Sequence, residues 1–162
     1  MELNVLRLVL LIIVLALAQS HPKHLKPIIE SFYNEANKSL ALYIKHTSSS
    51  LLDHTGAYNV GCIHEPQENL NITLFQEKLS MFHCYMKVAV EFDLDDLSEE
   101  LRKTFQHMVH LMKEMRVTPT CPAGTCALDF DFEDDDYQQL SFVRSLLVLY
   151  TKWMAEIRKK LQ

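Results

Sequence analysis

The sequence predicts an all-α fold, a short-chain up-up-down-down four-helix bundle, and three observations carry that expectation. Four segments repeat apolar residues at three-and-four spacing, the signature of one buried helix face. The connections between them run long, short, long: about 27 residues, about four and about 20. Antiparallel neighbours need only a short loop, whereas parallel neighbours need an overhand crossover, so this pattern selects up-up-down-down over up-down-up-down. The third observation is the placement of the 4 cysteines, which fall on one helix and in the two long connections.

The first twenty residues stand apart from the bundle. After Met1-Glu2-Leu3-Asn4-Val5-Leu6-Arg7, an apolar run extends from Leu8 to Leu17 and gives way to Ala18-Gln19-Ser20. Small residues occupy the two positions that a signal peptidase reads. The run is about ten residues, and a helix needs about 20 to cross a bilayer core. The expectation is a signal peptide over 1–20 and a single helical domain over 21–162, secreted to the extracellular space without membrane insertion.

The first helix is expected from Leu25 to His46, with Leu25, Ile28, Ile29, Phe32, Ala36, Leu40, Tyr43 and Ile44 inward and Thr47-Ser48-Ser49-Ser50 ending it. The second is expected from Leu74 to Phe92, opened by a Thr73–Gln76 capping box and striped by Phe75, Leu79, Phe82, Met86, Ala89 and Phe92. The third spans Leu97 to Met115, with Asp96 and Glu99 matching cap logic and Leu97, Leu101, Phe105, Met108, Met112 and Met115 on one face. The fourth spans Tyr137 to Leu161, opened by Asp136 with Gln139. Its stripe is Leu140, Val143, Leu147, Tyr150, Met154 and Ile157, widened by Leu146, Leu149 and Trp153. A short two-stranded ribbon between the crossovers is a further expectation: Leu128-Asp129-Phe130-Asp131-Phe132 alternates with period two, and Ala57-Tyr58-Asn59-Val60 is its candidate partner.

In an exported chain an even cysteine count implies disulfides. Cys62 lies in the first crossover, Cys84 on the second helix, and Cys121 and Cys126 in the second crossover. A Cys121–Cys126 bond would constrain little, while cross-connections pin both crossovers to the bundle. The expected pairs are Cys62–Cys121 and Cys84–Cys126, with exchanged partners as the alternative. Two sequons, Asn37-Lys38-Ser39 and Asn71-Ile72-Thr73, are candidate glycan sites.

No constellation points to catalysis or to a cofactor. The Cys121-Pro122-Ala123-Gly124-Thr125-Cys126 spacing is not the two-residue redox spacing. His107, His110 and Glu114 read as a solvated helix face rather than metal ligands. The acidic run Asp129, Asp131, Glu133, Asp134, Asp135 and Asp136 lacks the glycine and closing glutamate of a calcium loop. A formal net charge of −5 argues against nucleic acid. The chain is expected to be no enzyme, to hold no metal and to act as a monomer that presents helix faces to another protein. The competing class is a secreted helical carrier of a small apolar ligand, for which Met108, Met112 and Met115 would be the adaptable lining. Their helical spacing favours core packing.

Over nearly the whole of residues 21–162 the chain resembles the short-chain helical cytokines. Phe82-His83-Cys84-Tyr85-Met86-Lys87-Val88-Ala89-Val90-Glu91-Phe92 is similar to the second helix of the interleukin-2, interleukin-15 and interleukin-21 set. The closely spaced Cys121 and Cys126 before the last helix also recur there. Leu140-Ser141-Phe142-Val143-Arg144-Ser145-Leu146-Leu147 is similar to that set and to interleukin-9. Cys121-Pro122 through Phe132-Glu133 also looks like a crossover of granulocyte–macrophage colony-stimulating factor, and interleukin-4 and interleukin-13 share the interleaved cysteines. The gap from Cys62 to Cys84 is longer than in interleukin-15 and interleukin-21. The resemblance implies a ligand that brings class I cytokine receptor chains together in leukocytes, with the common gamma chain among the candidate partners. It implies contacts from polar positions on two helices: Glu30, Asn34, Glu35 and Lys38 on the first, and Gln138, Arg144, Thr151 and Lys152 on the last, where Thr151 aligns with a functional glutamine of the set.

Overall fold

The computed structural model describes residues 2–46, 60, 62–124 and 136–162, without the side chains of 2–8, 11–23 and 46. Among the described residues the protein is all-α, with four helices and no strand: α1 (Glu2–His46), α2 (Ile72–Ala89), α3 (Asp96–Glu114) and α4 (Asp136–Lys160). Residues 128–132 and 57–59, on which the ribbon was expected, lie outside the described residues, as do the residues before Asp136 that bear on its cap.

The helices pack as a bundle around one core. Phe75, Leu79, Phe82 and Met86 of α2, Leu101, Met108 and Leu111 of α3, and Phe142, Leu147, Tyr150 and Met154 of α4 are buried with Ile29, Ala36 and Tyr43 of α1. Extensive packing joins α1 to α4, α1 to α3, α2 to α3 and α2 to α4, so that α1 lies diagonal to α2. Named contacts give the directions. Along α1 and α4, Glu30 meets Arg158 and Tyr43 meets Leu140. Along α1 and α3, His24 meets Glu114 and Ser39 meets Thr104. Along α2 and α3, Gln76 meets Met115 and His83 meets Phe105. Along α2 and α4, Phe82 meets Tyr150 and Phe92 meets Phe142. In each pair the numbers rise on one helix as they fall on the other, so all four neighbouring pairs are antiparallel.

Helix α1 begins far ahead of the expected Leu25, at Glu2. Its bundle-packing part nevertheless starts near His24, opposite the end of α3 at Glu114. The earlier turns extend beyond the partner helices, and Val9 and Leu10 are 46% and 54% exposed. Pro22 and Pro27 lie within this helix and cannot donate to the carbonyls of Ala18 and Lys23, which weakens the ladder where the domain begins.

The caps differ from the expected ones. Asn71, with extended backbone, caps α2: its Oδ1 accepts the Leu74 amide at 2.8 Å. The expected Thr73–Gln76 box does not form, because Gln76 Nε2 donates to the Met115 carbonyl at 3.0 Å instead. At α3 the N-cap is Asp95 at φ 50, without a side-chain cap bond, so Asp96 is the first helical residue rather than the cap. Ser98 Oγ closes that turn by accepting the Leu94 amide at 2.9 Å. The end of α3 is a Schellman motif: Arg116 donates to Lys113 and Val117 to Met112. Arg116 takes the left-handed position, φ 55, that glycine usually holds.

The observed disulfide joins Cys84 to Cys121, with Cα atoms 5.4 Å apart; it belongs to the exchanged alternative and corrects the preferred Cys84–Cys126 and Cys62–Cys121 pairs. The reason is the path of the chain after α3. It turns back along α2, where Ser80 Oγ donates to the Thr120 carbonyl at 3.1 Å and accepts the Thr120 amide at 2.8 Å. The next residue, Cys121, therefore meets the cysteine one turn beyond Ser80. Cys62 is disulfide-bonded as well, to neither Cys84 nor Cys121.

Candidate partner-binding faces

Residues 62–71, which lead into α2, are laid over one side of α4. Val60, Ile63 and Leu70 are buried in the core, although none belongs to a helical stripe. Trp153 Nε1 donates to the His64 carbonyl at 2.7 Å, Lys160 Nζ to the Glu68 carbonyl at 3.0 Å, and Lys152 pairs with Glu65. Lys152, one of the candidate contacts, is thus exposed but engaged by the crossover.

The outer surface of α1 remains open. Glu30, Asn34 and Lys38 follow one another at one-turn spacing and are exposed. Glu30 Oε1 lies 3.3 Å from the Arg158 guanidinium, whose carbon sits 4.3 Å from the centre of the Tyr33 ring. This sandwich joins α1 to the end of α4 and fixes Glu30 and Tyr33 with an always-charged partner. Glu35 is half-buried and turned toward α3, where its charge acts with Glu100 and Glu99 on Lys103. The Lys103 ammonium is held above its usual range by the hydrogen bond it donates to Glu100 and by the neighbouring carboxylates.

On α4 the candidate residues separate. Gln138 is exposed and Arg144 half-buried, with Arg144 close enough to lower the Tyr43 phenol against the larger effect of burial. Thr151 is 9% exposed and its hydroxyl is buried. It shares a line of the helix with Arg144 and Arg158, seven residues before and after, and Arg158 reaches α1. Thr151 is therefore a seam residue, not a surface contact. Arg144 and Thr151 show that the α1–α4 seam is wider than the apolar stripe.

The α1–α3 flank carries a group that helical periodicity on α3 alone does not reveal. The Phe32 ring stacks on His107 at 4.9 Å with an interplanar angle of 8°, and meets His110 edge-on at 5.6 Å. Glu114 lies 3.3 Å from His24 and 3.7 Å from His110. Val109, 43% exposed, sits on the open side of the same helix. Deeper in the seam Ser39 and Thr104 share a 2.6 Å hydrogen bond. Among the described residues no group of three or more ligating side chains is placed to hold a metal ion. The spacing of Phe32 seven residues after Leu25 was legible as core, but its partner imidazoles come from another helix.

An open groove of about 470 Å³ runs between α2 and the start of the second crossover, bordered by Thr73, Gln76, Ser80, Arg116, Val117 and Pro122. Met108, Met112 and Met115, the residues a carrier would use, are all in the packed core. No protein-family model, no curated protein and no solved structure matches the chain.

Proposed function

We propose that the chain is a secreted helical cytokine that acts by binding class I receptor chains and bringing them together. The observation that carries this reading is the direction of the four seams. Four antiparallel neighbours with α1 diagonal to α2 support an up-up-down-down bundle with two long crossovers. Packing of Val60, Ile63 and Leu70 and the Cys84–Cys121 bond tie those crossovers down, as a rigid ligand requires. The apolar turns around Val9 and Leu10, outside the bundle, fit removal of residues 1–20 on export.

Two receptor faces follow from this reading. One is the α1–α4 flank with Glu30, Asn34, Lys38 and Arg158; the other is the α1–α3 flank with Phe32, His107 and Val109. The protein acts as a monomer without a cofactor, and the common gamma chain is a candidate partner on the α1–α4 flank. The arrangement suits the interleukin-2, interleukin-15 and interleukin-21 set and equally the granulocyte–macrophage colony-stimulating factor, interleukin-4, interleukin-13 and interleukin-9 types.

The test is a binding screen of purified residues 21–162 against class I receptor ectodomains by surface plasmon resonance, paired with a phosphorylation response in leukocytes. Binding to one or two chains is expected. Substituting Asn34→Arg and Lys38→Glu is expected to weaken one of them by tenfold or more, about 1.4 kcal/mol, with an unchanged melting temperature. Absence of binding to every ectodomain, with no cellular response, rejects the reading.

A further inference from the structure

The chain carries two sequons, and the fold treats them differently. Asn71, Ile72 and Thr73 are all exposed at the junction of the first crossover and α2. The Asn71 backbone is extended, φ −125 and ψ 169, and its Oδ1 is turned to the Leu74 amide. That bond occupies the oxygen and leaves Nδ2, the atom that forms an N-glycosidic bond, outside the cap. A glycan on Nδ2 therefore costs the helix none of its capping.

The other sequon is locked into the bundle. Asn37 lies within α1 and is half-buried. Ser39, whose hydroxyl completes the sequon, is 1% exposed and is hydrogen-bonded to Thr104 at 2.6 Å across the α1–α3 seam. Asn37 also follows Tyr33 by one turn, on the flank that faces α4 through Arg158. A glycan there would cover the surface beside Asn34 and Lys38.

We infer that Asn71 is the glycan-bearing position of the exported protein and that Asn37 stays largely unmodified. This rests on the export reading, because the transfer takes place in the secretory pathway. In the transfer, Asn71 Nδ2 loses one proton and forms a bond to the anomeric carbon of an oligosaccharide. The carbon–oxygen bond to a lipid pyrophosphate carrier breaks, and the pyrophosphate leaves with its electron pair, so no oxidant or reductant is needed. The glycan then stands at the start of α2, the helix diagonal to α1, and both α1 flanks stay open to partners.

The full chain is expressed in secreting animal cells, once with its own leader and once with residues 1–20 replaced by a proven signal peptide. Amidase release, which converts a glycosylated Asn to Asp, and peptide mass mapping then read each site. The expected result is conversion at Asn71 in most molecules and at Asn37 in few. Thr73→Ala, which keeps the Asn71 cap, abolishes the glycan-dependent mobility shift, while Asn37→Gln leaves it. Occupancy at Asn37 equal to or above that at Asn71 overturns the inference, as does an exported product with no glycan at Asn71. Failure of secretion with the native leader alone counts against the export reading, and the replaced leader still decides between the two asparagines.

Discussion

Helices α1 and α2 lie diagonal to each other and pack on the same two neighbours, yet their seams are built differently. The α2 side is aromatic and covalent. Phe82 meets Tyr150 at 5.4 Å, Phe92 meets Phe142 at 6.1 Å, and Cys84 is bonded to Cys121. The α1 side is polar at its flanks. Ser39 pairs with Thr104, Phe32 covers half-buried His107, and Arg158 bridges Glu30 and Tyr33. The contrast is one of composition: α2 buries the large apolar side chains of Phe75, Leu79, Phe82, Tyr85 and Met86, while the α1 flanks leave directional polar groups at the surface.

The widest separation between the two sides is expected from aromatic truncation. Phe82→Ala should lower stability by about 3–5 kcal/mol, because a fully buried ring leaves a cavity. Phe32→Ala, at the half-buried α1 flank, should cost about 1 kcal/mol. Urea midpoints at unchanged slope measure both, and equal losses would erase the distinction.

Next in size is the disulfide. Replacing Cys84 and Cys121 together by Ala should cost about 3 kcal/mol, since the bond closes a span of 37 residues in the unfolded chain. If the proposed receptor reading holds, the same double variant leaves binding through the α1 flanks unchanged once the protein is folded.

The finest contrast is in alkaline sensitivity. Burial pushes the Tyr43 phenol up to about 12, with Arg144 opposing it, and pushes Tyr150 further up with no opposing charge. An unfolded phenol ionises near 10, so the unfolded chain releases these protons first. The stabilising contribution is complete below pH 10 and is lost as pH rises toward 12. Tyr43→Phe should make the alkaline loss of stability shallower, and Tyr150→Phe more so. A titration followed by far-ultraviolet dichroism reads the order, and the reverse order would contradict the burial argument.

Much of this was legible in the sequence, for physical reasons that also explain the misses. Apolar spacing reports which side of a helix meets other helices, so Leu79, Met108, Leu147 and Ile157 were all placed inward, and all are buried. Periodicity is blind to segments that cross a helix without being one, which is why Val60, Ile63 and Leu70 were not assigned to the core. It also reads polarity as exposure, which misplaced Thr151. The cap of α2 was displaced by two residues because Asn71 and Thr73 both have the right oxygen, and only the path of the crossover decides which one faces the amides. The preferred cysteine pairing failed on the same ground, while its exchanged alternative contains the observed Cys84–Cys121 bond. Loop-closure entropy ranks lengths of chain, whereas Ser80 and Thr120 fix a local path that entropy does not describe.

The antiparallel seam between α1 and α4 has a consequence for engineering. Because Glu30 meets Arg158, the start of the bundle-packing part of α1 near His24 and residue Gln162 share one pole of the bundle. A short flexible linker between them would allow circular permutation, with new ends opened elsewhere. Anything fused ahead of His24 or after Gln162, whether an antibody fragment or a second copy in tandem, would leave from that pole. The opposite pole, where Ile44 and Tyr137 are exposed, would stay clear.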